Sequence, residues 1–226
     1  MNPQPRIFGG ILIVFAISFI ILAVTPAIQL GSLQPLVNED TADIYPIDVS
    51  GVQAEGRAVY VAQGCVACHT EQVRGAGDGA DLDRGWGLRR TVARDYIYEK
   101  PPLLGYMRLG PDLANIGTRK NADDPNDTYK YSRAWHFMHL YNPQNTSPGS
   151  IMPSYKFLFE KRKIAGQTDA AALKLAGDQA PPAGYQIVPS PEARHLVDYL
   201  TGLDHSHPLP EAGPNIVPPK PGGAAK

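Results

Sequence analysis

The pattern of apolar and polar positions divides the chain into an apolar opening and a mixed, heavily punctuated remainder. Residues Ile7 to Val24 are almost wholly apolar, and the run continues weakly to Leu30 with no charge after Arg6. A helix rises about 1.5 Å per residue, so about 20 residues cross the ~30 Å hydrocarbon layer. The pattern predicts a transmembrane anchor within residues 1–30. Pro26 sits near its outer end, where a helix stops or kinks. A cleaved leader is the competing reading, because Thr25-Pro26-Ala27 loosely resembles a small-residue cleavage site. Against it, the run exceeds the 7–15 apolar residues usual in a leader, and proline is awkward beside a cleavage site. Arg6 on one flank and Glu39, Asp40 and Asp43 on the other favour an amino terminus inside and the larger part of the chain outside.

Residues 31–53 carry Pro35 and Pro46 with little periodicity and read as an extended connector. Residues 54–203 read as one domain, mainly α with long loops. Its first helical pattern runs from Ala54 to Gln63 and ends at Gly64. Residues 70–110 are rich in Gly and Arg and read as loop with short helices. Ser132 is a candidate N-cap for a helix to Tyr141. A short helix is expected at 168–176, and Ser190-Pro191-Glu192 opens a last helix that runs to Gly202. Residues 204–226 are Pro/Gly-rich and are expected to be disordered. Neither an internal repeat nor a second domain is visible.

Charge and composition narrow the function classes. The formal net charge is −1, so no basic field points to nucleic acid. The 22 Gly and 22 Pro favour a loop-rich domain over a regular bundle. Only two cysteines are present, Cys65 and Cys68, and His69 follows them. Cysteines this close form a redox pair, part of a metal site or a covalent cofactor attachment. Cys-x-x-Cys-His is the attachment signature of c-type haem. One helical turn turns both thiols toward the porphyrin edge, where they form thioethers with its vinyl groups, and the imidazole then faces the iron. A thioredoxin-like dithiol would need a preceding strand in a βαβ pattern, and none is visible. Zinc would need further ligands, which His136 and His139 could supply.

An electron-transfer haem is normally six-coordinate, and a Met opposite the His raises its potential. The candidates are Met107, Met138 and Met152. Met138 lies inside a helical pattern, where core packing is the simpler role. Met152 precedes Pro153, which restricts the backbone and can hold the sulfur in place. Met152 is therefore the expected sixth ligand, with His136 or His139 as runner-up. The carbonyl of Pro111, in Gly110-Pro111-Asp112-Leu113, can accept Nδ1–H of His69 and fix the ring. The plainer reading is a turn with Asp112 as a helix cap. Arg84, Arg89, Arg90 and Arg94 form a basic cluster that suits haem propionates, partner docking or a solvated loop equally well. Trp86 and Trp135 are candidates for the haem crevice or for the core.

The order of these features resembles a class I cytochrome c: Gly56 and Tyr60, then Cys65-Val66-Ala67-Cys68-His69, Gly110-Pro111-Asp112-Leu113, Met152-Pro153, and a last helix with Leu196, Tyr199 and Leu200. That family packs its first helix across its last. Trp135-His136, His139-Leu140-Tyr141-Asn142-Pro143 and Met152-Pro153-Ser154-Tyr155 are similar to the mono-haem subunit (subunit II) of cbb3-type cytochrome c oxidase. The resemblance covers residues 5–203. It departs at Thr70-Glu71-Gln72-Val73-Arg74-Gly75 and over 75–106.

The resemblance implies one covalently bound haem c on Cys65 and Cys68, with iron ligands His69 and Met152 and Arg74 at a propionate. It implies a relay that passes electrons to a membrane-embedded catalytic subunit, with a further cytochrome c subunit as electron source. The chain itself would be an electron carrier with no catalytic residue, in a single-pass position in a bacterial inner membrane, its haem domain periplasmic. Two alternatives stay open: a free-standing membrane-anchored cytochrome c shuttle and the haem c subunit of a nitric oxide reductase. The apolar residues Leu33, Leu36, Val37, Ile44 and Ile47 in the connector favour docking over a free tether.

Overall fold

The computed structural model describes residues 3–37, 42–119 and 131–213. The chain forms two compact units, one made of the segment up to Ile47 with Val92–Glu99, the other of Asp48–Thr91 with the chain from Lys100 onward.

In the first unit the apolar run is a single helix, α1 (Gln4–Gly31), of 28 residues, containing an 18-residue window with a mean hydropathy of 3.0 and none of that window buried. At 1.5 Å per residue it is ~42 Å long, enough to cross a bilayer with turns to spare. It is a candidate membrane span. Ile20–Val24 winds as a π turn. Pro26 has no N–H to donate, and the turn before it is re-bonded. Thr25 N–H reaches the Ile20 carbonyl, and Thr25 Oγ1 donates to the same oxygen at 3.0 Å.

The connector is not simply extended, as its composition suggested. β1 (Leu36–Val37) pairs antiparallel with β2 (Ile44–Tyr45). Buried Tyr45 donates its hydroxyl to Asp95 Oδ1 at 2.7 Å, and Asp95 Oδ2 accepts Val92 N–H at 2.7 Å. The Arg94 guanidinium donates to the Gln34 carbonyl. A buried hydroxyl and a buried carboxylate each need a partner, and here they supply one another across 50 residues.

The second unit is built on two crossing helices. α2 (Gly51–Ala62) begins before the expected Ala54 and buries Gly56 and Tyr60, one turn apart on one face. The third helix, α3 (Arg133–Tyr141), has Ser132 as its N-cap, accepting from Trp135 N–H at 3.2 Å. The last helix, α4 (Pro191–Gly202), opens on Ser190, whose hydroxyl accepts from Ala193 N–H. Ala193, Leu196, Val197 and Leu200 form its buried stripe. A Cβ on Gly56 would stand 1.9 Å from the His195 carbonyl oxygen and 2.8 Å from Tyr199 Cβ. Only glycine lets the two backbones meet this closely. Next to the crossing, Tyr60 and Tyr199 pack with ring centroids 5.5 Å apart, and Tyr199 donates to fully buried Glu71 at 2.8 Å. Arg133 pairs with Asp198 and ties α3 to α4.

Two expectations for this unit need correction. No helix forms at 168–176. Instead β3 (Phe159–Lys163) pairs antiparallel with β4 (Tyr185–Pro189), Phe159 opposite Pro189 and Lys163 opposite Tyr185. Leu173 N–H goes to the Ile187 carbonyl at 2.9 Å. Asp169 accepts Ala171 N–H at 2.8 Å and pairs with Arg162 and Arg194. A side chain that takes nearby backbone donors competes with helix formation. The expected disorder of 204–226 also fails as far as residue 213: His205 and Leu209 are buried. His205 N–H donates to Asn115 Oδ1 at 2.9 Å, and Arg90 donates to the Glu211 carbonyl at 2.7 Å. Residues 214–226 lie outside the described residues.

The Gly/Arg-rich loop is organised by a buried carboxylate. Asp81 accepts Arg74 N–H at 2.8 Å, the Arg74 guanidinium at 3.0 and 3.2 Å, and Arg108 Nη1. Burial alone would raise its pKa, but the hydrogen bonds from Arg74 and Arg108 outweigh that and hold it at about 2, below the ordinary 3.8.

Two outcomes follow. Gly56→Ala gains about 1 kcal/mol of helix propensity but forces an overlap whose cost is about 1–3 kcal/mol or more. The net effect is destabilisation, read by denaturant unfolding of the solubilised protein; equal or greater stability would show that the helices part freely. Asp81 has a depressed folded pKa, so its contribution is present above the ordinary carboxyl range and is lost as pH falls from about 4 toward 2. Asp81→Asn should lower stability at neutral pH and flatten the acid limb in that window. An unchanged acid limb would remove Asp81 from the titration.

Candidate functional site

The chain after α2 makes one tight turn. Cys65–Ala67 is a 3-10 turn, and His69 N–H donates to the Cys65 carbonyl at 3.0 Å. That turn brings both thiols and the imidazole to the wall of one cavity of about 500 Å³. A second strand of chain is strapped alongside it: Tyr106 N–H to the Val66 carbonyl at 3.3 Å, Gly110 N–H to Cys68 at 3.0 Å, Leu113 N–H to Thr70 at 2.7 Å. Asp112 is fully buried and locks the strap, accepting Thr70 Oγ1 at 2.6 Å and Gln72 N–H at 2.7 Å. This is a larger role than a helix cap, and nothing local signals it, since its partners stand 42 and 40 residues away.

The strap delivers Pro111 to the histidine. Nδ1–H of His69 donates to the Pro111 carbonyl at 2.8 Å. A carbonyl only accepts, so the proton sits on Nδ1 and Nε2 keeps a bare lone pair. A Cβ on Gly110 would fall 2.2 Å from His69 Cε1, so glycine lies flush against the ring. Burial lowers the His69 pKa, opposed by the Pro111 hydrogen bond and by Asp112. The ring is therefore held neutral and oriented, as a metal ligand requires.

Met152 is half-buried, packs against the core and lines the same cavity. The loop that carries it is pinned where Tyr155 N–H donates to the Leu140 carbonyl at 2.8 Å, at the end of α3. Met107 and Met138 do not line the cavity: Met107 is 52% exposed, and the Met138 sulfur accepts from Asn145. His136 and His139 do line it. Both pKa values are lowered to about 4, first by burial, then for His136 by His139 and Arg133 and for His139 by His69. His136 Nε2 is buried without a hydrogen-bond partner among the described residues.

Several expected residues fall elsewhere. Arg74 does not line the cavity, because its guanidinium is committed to Asp81. None of the four clustered arginines lines it either. Arg84 stacks over Trp86 at 4.9 Å, Arg89 is 1% exposed and donates to the His207 carbonyl, Arg90 holds Glu211 and Arg94 holds Gln34. Trp135 lines the cavity and Trp86 does not.

The chemistry of the walls decides what fits. The two cysteines are free, and burial raises the Cys65 thiol to about 11, partly opposed by a backbone hydrogen bond. A redox dithiol needs the opposite shift. Among the described residues no group of three or more His, Cys, Asp or Glu side chains is close enough to hold a bare metal ion, so the zinc reading draws no support from them. What remains is an apolar cavity with two thiols on its wall, an anchored imidazole and a thioether, a donor set that fits haem.

Comparison with known proteins agrees. No curated protein matches the chain. The family model for the mono-heme subunit of cytochrome C oxidase, FixO, matches residues 6–180, from the apolar helix through the cavity's Met152 loop. With one haem in the family's description and a haem-shaped donor set in the cavity, the chain belongs to the FixO family of mono-haem cytochrome c oxidase subunits.

Proposed function

We propose that this subunit is the electron relay of a cbb3-type haem–copper oxidase. Its one haem c is attached covalently through Cys65 and Cys68 and ligated by His69 and Met152. The observation that supports this most is the convergence, in one cavity, of two thiols, a carbonyl-anchored imidazole and one of the three described methionines. Bound there, the haem supplies reversible one-electron chemistry.

The chain's residues set the terms of that chemistry. Pro111 orients His69 and raises its basicity as a ligand. Met152 offers a soft thioether, which favours ferrous iron and raises the potential. Leu113, Ile116, Leu140 and Leu196 line the cavity and keep water from the reacting centre. If His69 and Met152 both hold the haem, this chain would bind no oxygen, and oxygen reduction would fall to the membrane-embedded catalytic subunit. A further cytochrome c subunit is the electron source. The Gly56 crossing of α2 and α4 supports a class I cytochrome c domain. The positions of Pro111 and Met152 support the roles proposed for them, while Arg74 pairs with Asp81 and does not line the cavity.

The shuttle reading is weaker than the docked subunit. Val37, Ile44 and Ile47 in the connector are 59, 51 and 75% exposed, an apolar surface ill suited to a solvated tether. The charge flanks of α1 support a bacterial inner-membrane anchor with the haem domain on the periplasmic side.

Met152→Ala should lose the charge-transfer absorption of a thioether-bound iron and lower the reduction potential. An unchanged potential would remove Met152 from the iron. Purification from gently solubilised membranes should yield the chain with a large partner carrying b-type haems. On a denaturing gel its own haem should stay bound. Isolation of the chain alone, or loss of haem on denaturation, would overturn the relay or the covalent attachment respectively.

A further inference from the structure

Besides His69 and Met152, two imidazoles line the cavity, His136 and His139, and of these His139 has its Nδ1 anchored by a side-chain oxygen. The imidazole of His139 has Nδ1 at 2.6 Å from Thr146 Oγ1, and Nε2 has no hydrogen-bond partner among the described residues. The Thr146 hydroxyl can turn its own hydrogen to the Pro143 carbonyl, 3.2 Å away, and its lone pair is then available to Nδ1–H. In that tautomer Nε2 carries a bare lone pair. The ring is further held by Trp135, stacked on it at 4.5 Å with the planes 12° apart. Its oxygen acceptor on Nδ1 repeats the arrangement at His69, where Pro111 anchors Nδ1 and leaves Nε2 for the iron. His139 and Met152 both line the cavity, on the two sides of the Pro143–Gly149 loop, and Tyr155 N–H bonds the Met152 loop back to the end of the His139 helix. His136 lacks this second anchor.

We propose that His139 is a standby axial ligand, placed to bind the haem iron through Nε2 when the Met152 thioether is lost. The inference rests on the haem reading above. The exchange is a ligand substitution: the Fe–S bond breaks and the thioether leaves with its lone pair, as the His139 lone pair forms the Fe–N bond. The oxidation state of the iron does not change, and no proton is released, because the proton stays on His139 Nδ1, donated to Thr146 Oγ1. Ferric iron, harder than ferrous, takes the imidazole more readily than the thioether. The occasions are substitution of Met152 or its two-electron oxidation to the sulfoxide by a peroxide, which gives the sulfur one oxygen and leaves as water or an alcohol.

The test uses the full chain, loaded with haem and purified in detergent, with the ferric iron read by electron paramagnetic resonance and near-infrared magnetic circular dichroism. Wild type should show His/thioether ligation. Met152→Ala should lose the thioether band yet remain low-spin, with a bis-imidazole signature. Adding His139→Phe to Met152→Ala should convert the iron to high-spin, whereas adding His136→Phe should leave the bis-imidazole signal intact. If Met152→Ala does not accumulate, Met152→Leu keeps the side-chain volume and is read the same way. Peroxide treatment of the wild type, with the sulfoxide located at Met152 by mass spectrometry, reads the same exchange with no substitution. A high-spin Met152→Ala, or a low-spin signal that survives without His139 and disappears without His136, would overturn the proposal. A wild type without thioether ligation would overturn the Met152 reading itself, a separate and distinguishable result.

Discussion

The hydrogen bond from His69 Nδ1–H to the Pro111 carbonyl, 2.8 Å long, is the contact on which the site depends. It fixes which nitrogen is free, where the ring faces, and how strongly Nε2 can donate. Everything around it serves to hold two chain segments, 42 residues apart, in parallel contact. Gly110 contributes no side chain, so the strap lies against the ring. Asp112 contributes a buried carboxylate that Thr70 and Gln72 satisfy. A fully buried carboxylate would be costly without those donors, so the same interaction that makes Asp112 tolerable also sets the strap in register.

The cavity in turn hangs on the crossing of α2 and α4. Gly56 brings the helix before the haem motif against the helix that closes the domain, and the paired rings of Tyr60 and Tyr199 extend the contact toward Glu71. Tyr60, Leu196 and Leu200 then serve twice, as core and as cavity wall. The cofactor space is therefore continuous with the hydrophobic core, which ties stability to cofactor binding: whatever binds only the folded form stabilises it.

The arginines show how far a charge pattern can mislead. In a Gly-rich loop they look like a surface waiting for an anionic group. Instead each has a partner within the protein, with Arg84 and Arg90 still at the surface. Arg74 and Arg108 neutralise buried Asp81, Arg89 and Arg90 hold the segment after α4, and Arg94 closes the N-terminal unit. A guanidinium has five donors in a rigid fork, so it is well suited to satisfying carbonyls and carboxylates where a loop-rich domain has few ladders to do so.

The sequence by itself determined the local features: the apolar helix, the Cys65–His69 motif, Ser132 as a cap and the proline-opened start of the last helix. Each is written in residues within a turn or two of one another, and short-range geometry follows from spacing. Pro111 and Met152 were expected from their own local sequence, Gly110-Pro111-Asp112-Leu113 and Met152-Pro153, and both line the cavity. The β3–β4 hairpin, the packed segment after α4, the diversion of Arg74 to Asp81, and the anchoring of His139 by Thr146 were decided only by the tertiary structure. The reason is physical. A buried charge, a bare edge of backbone or an unpaired hydroxyl takes whatever partner the fold brings near, and that partner's distance along the chain is set by topology rather than by periodicity.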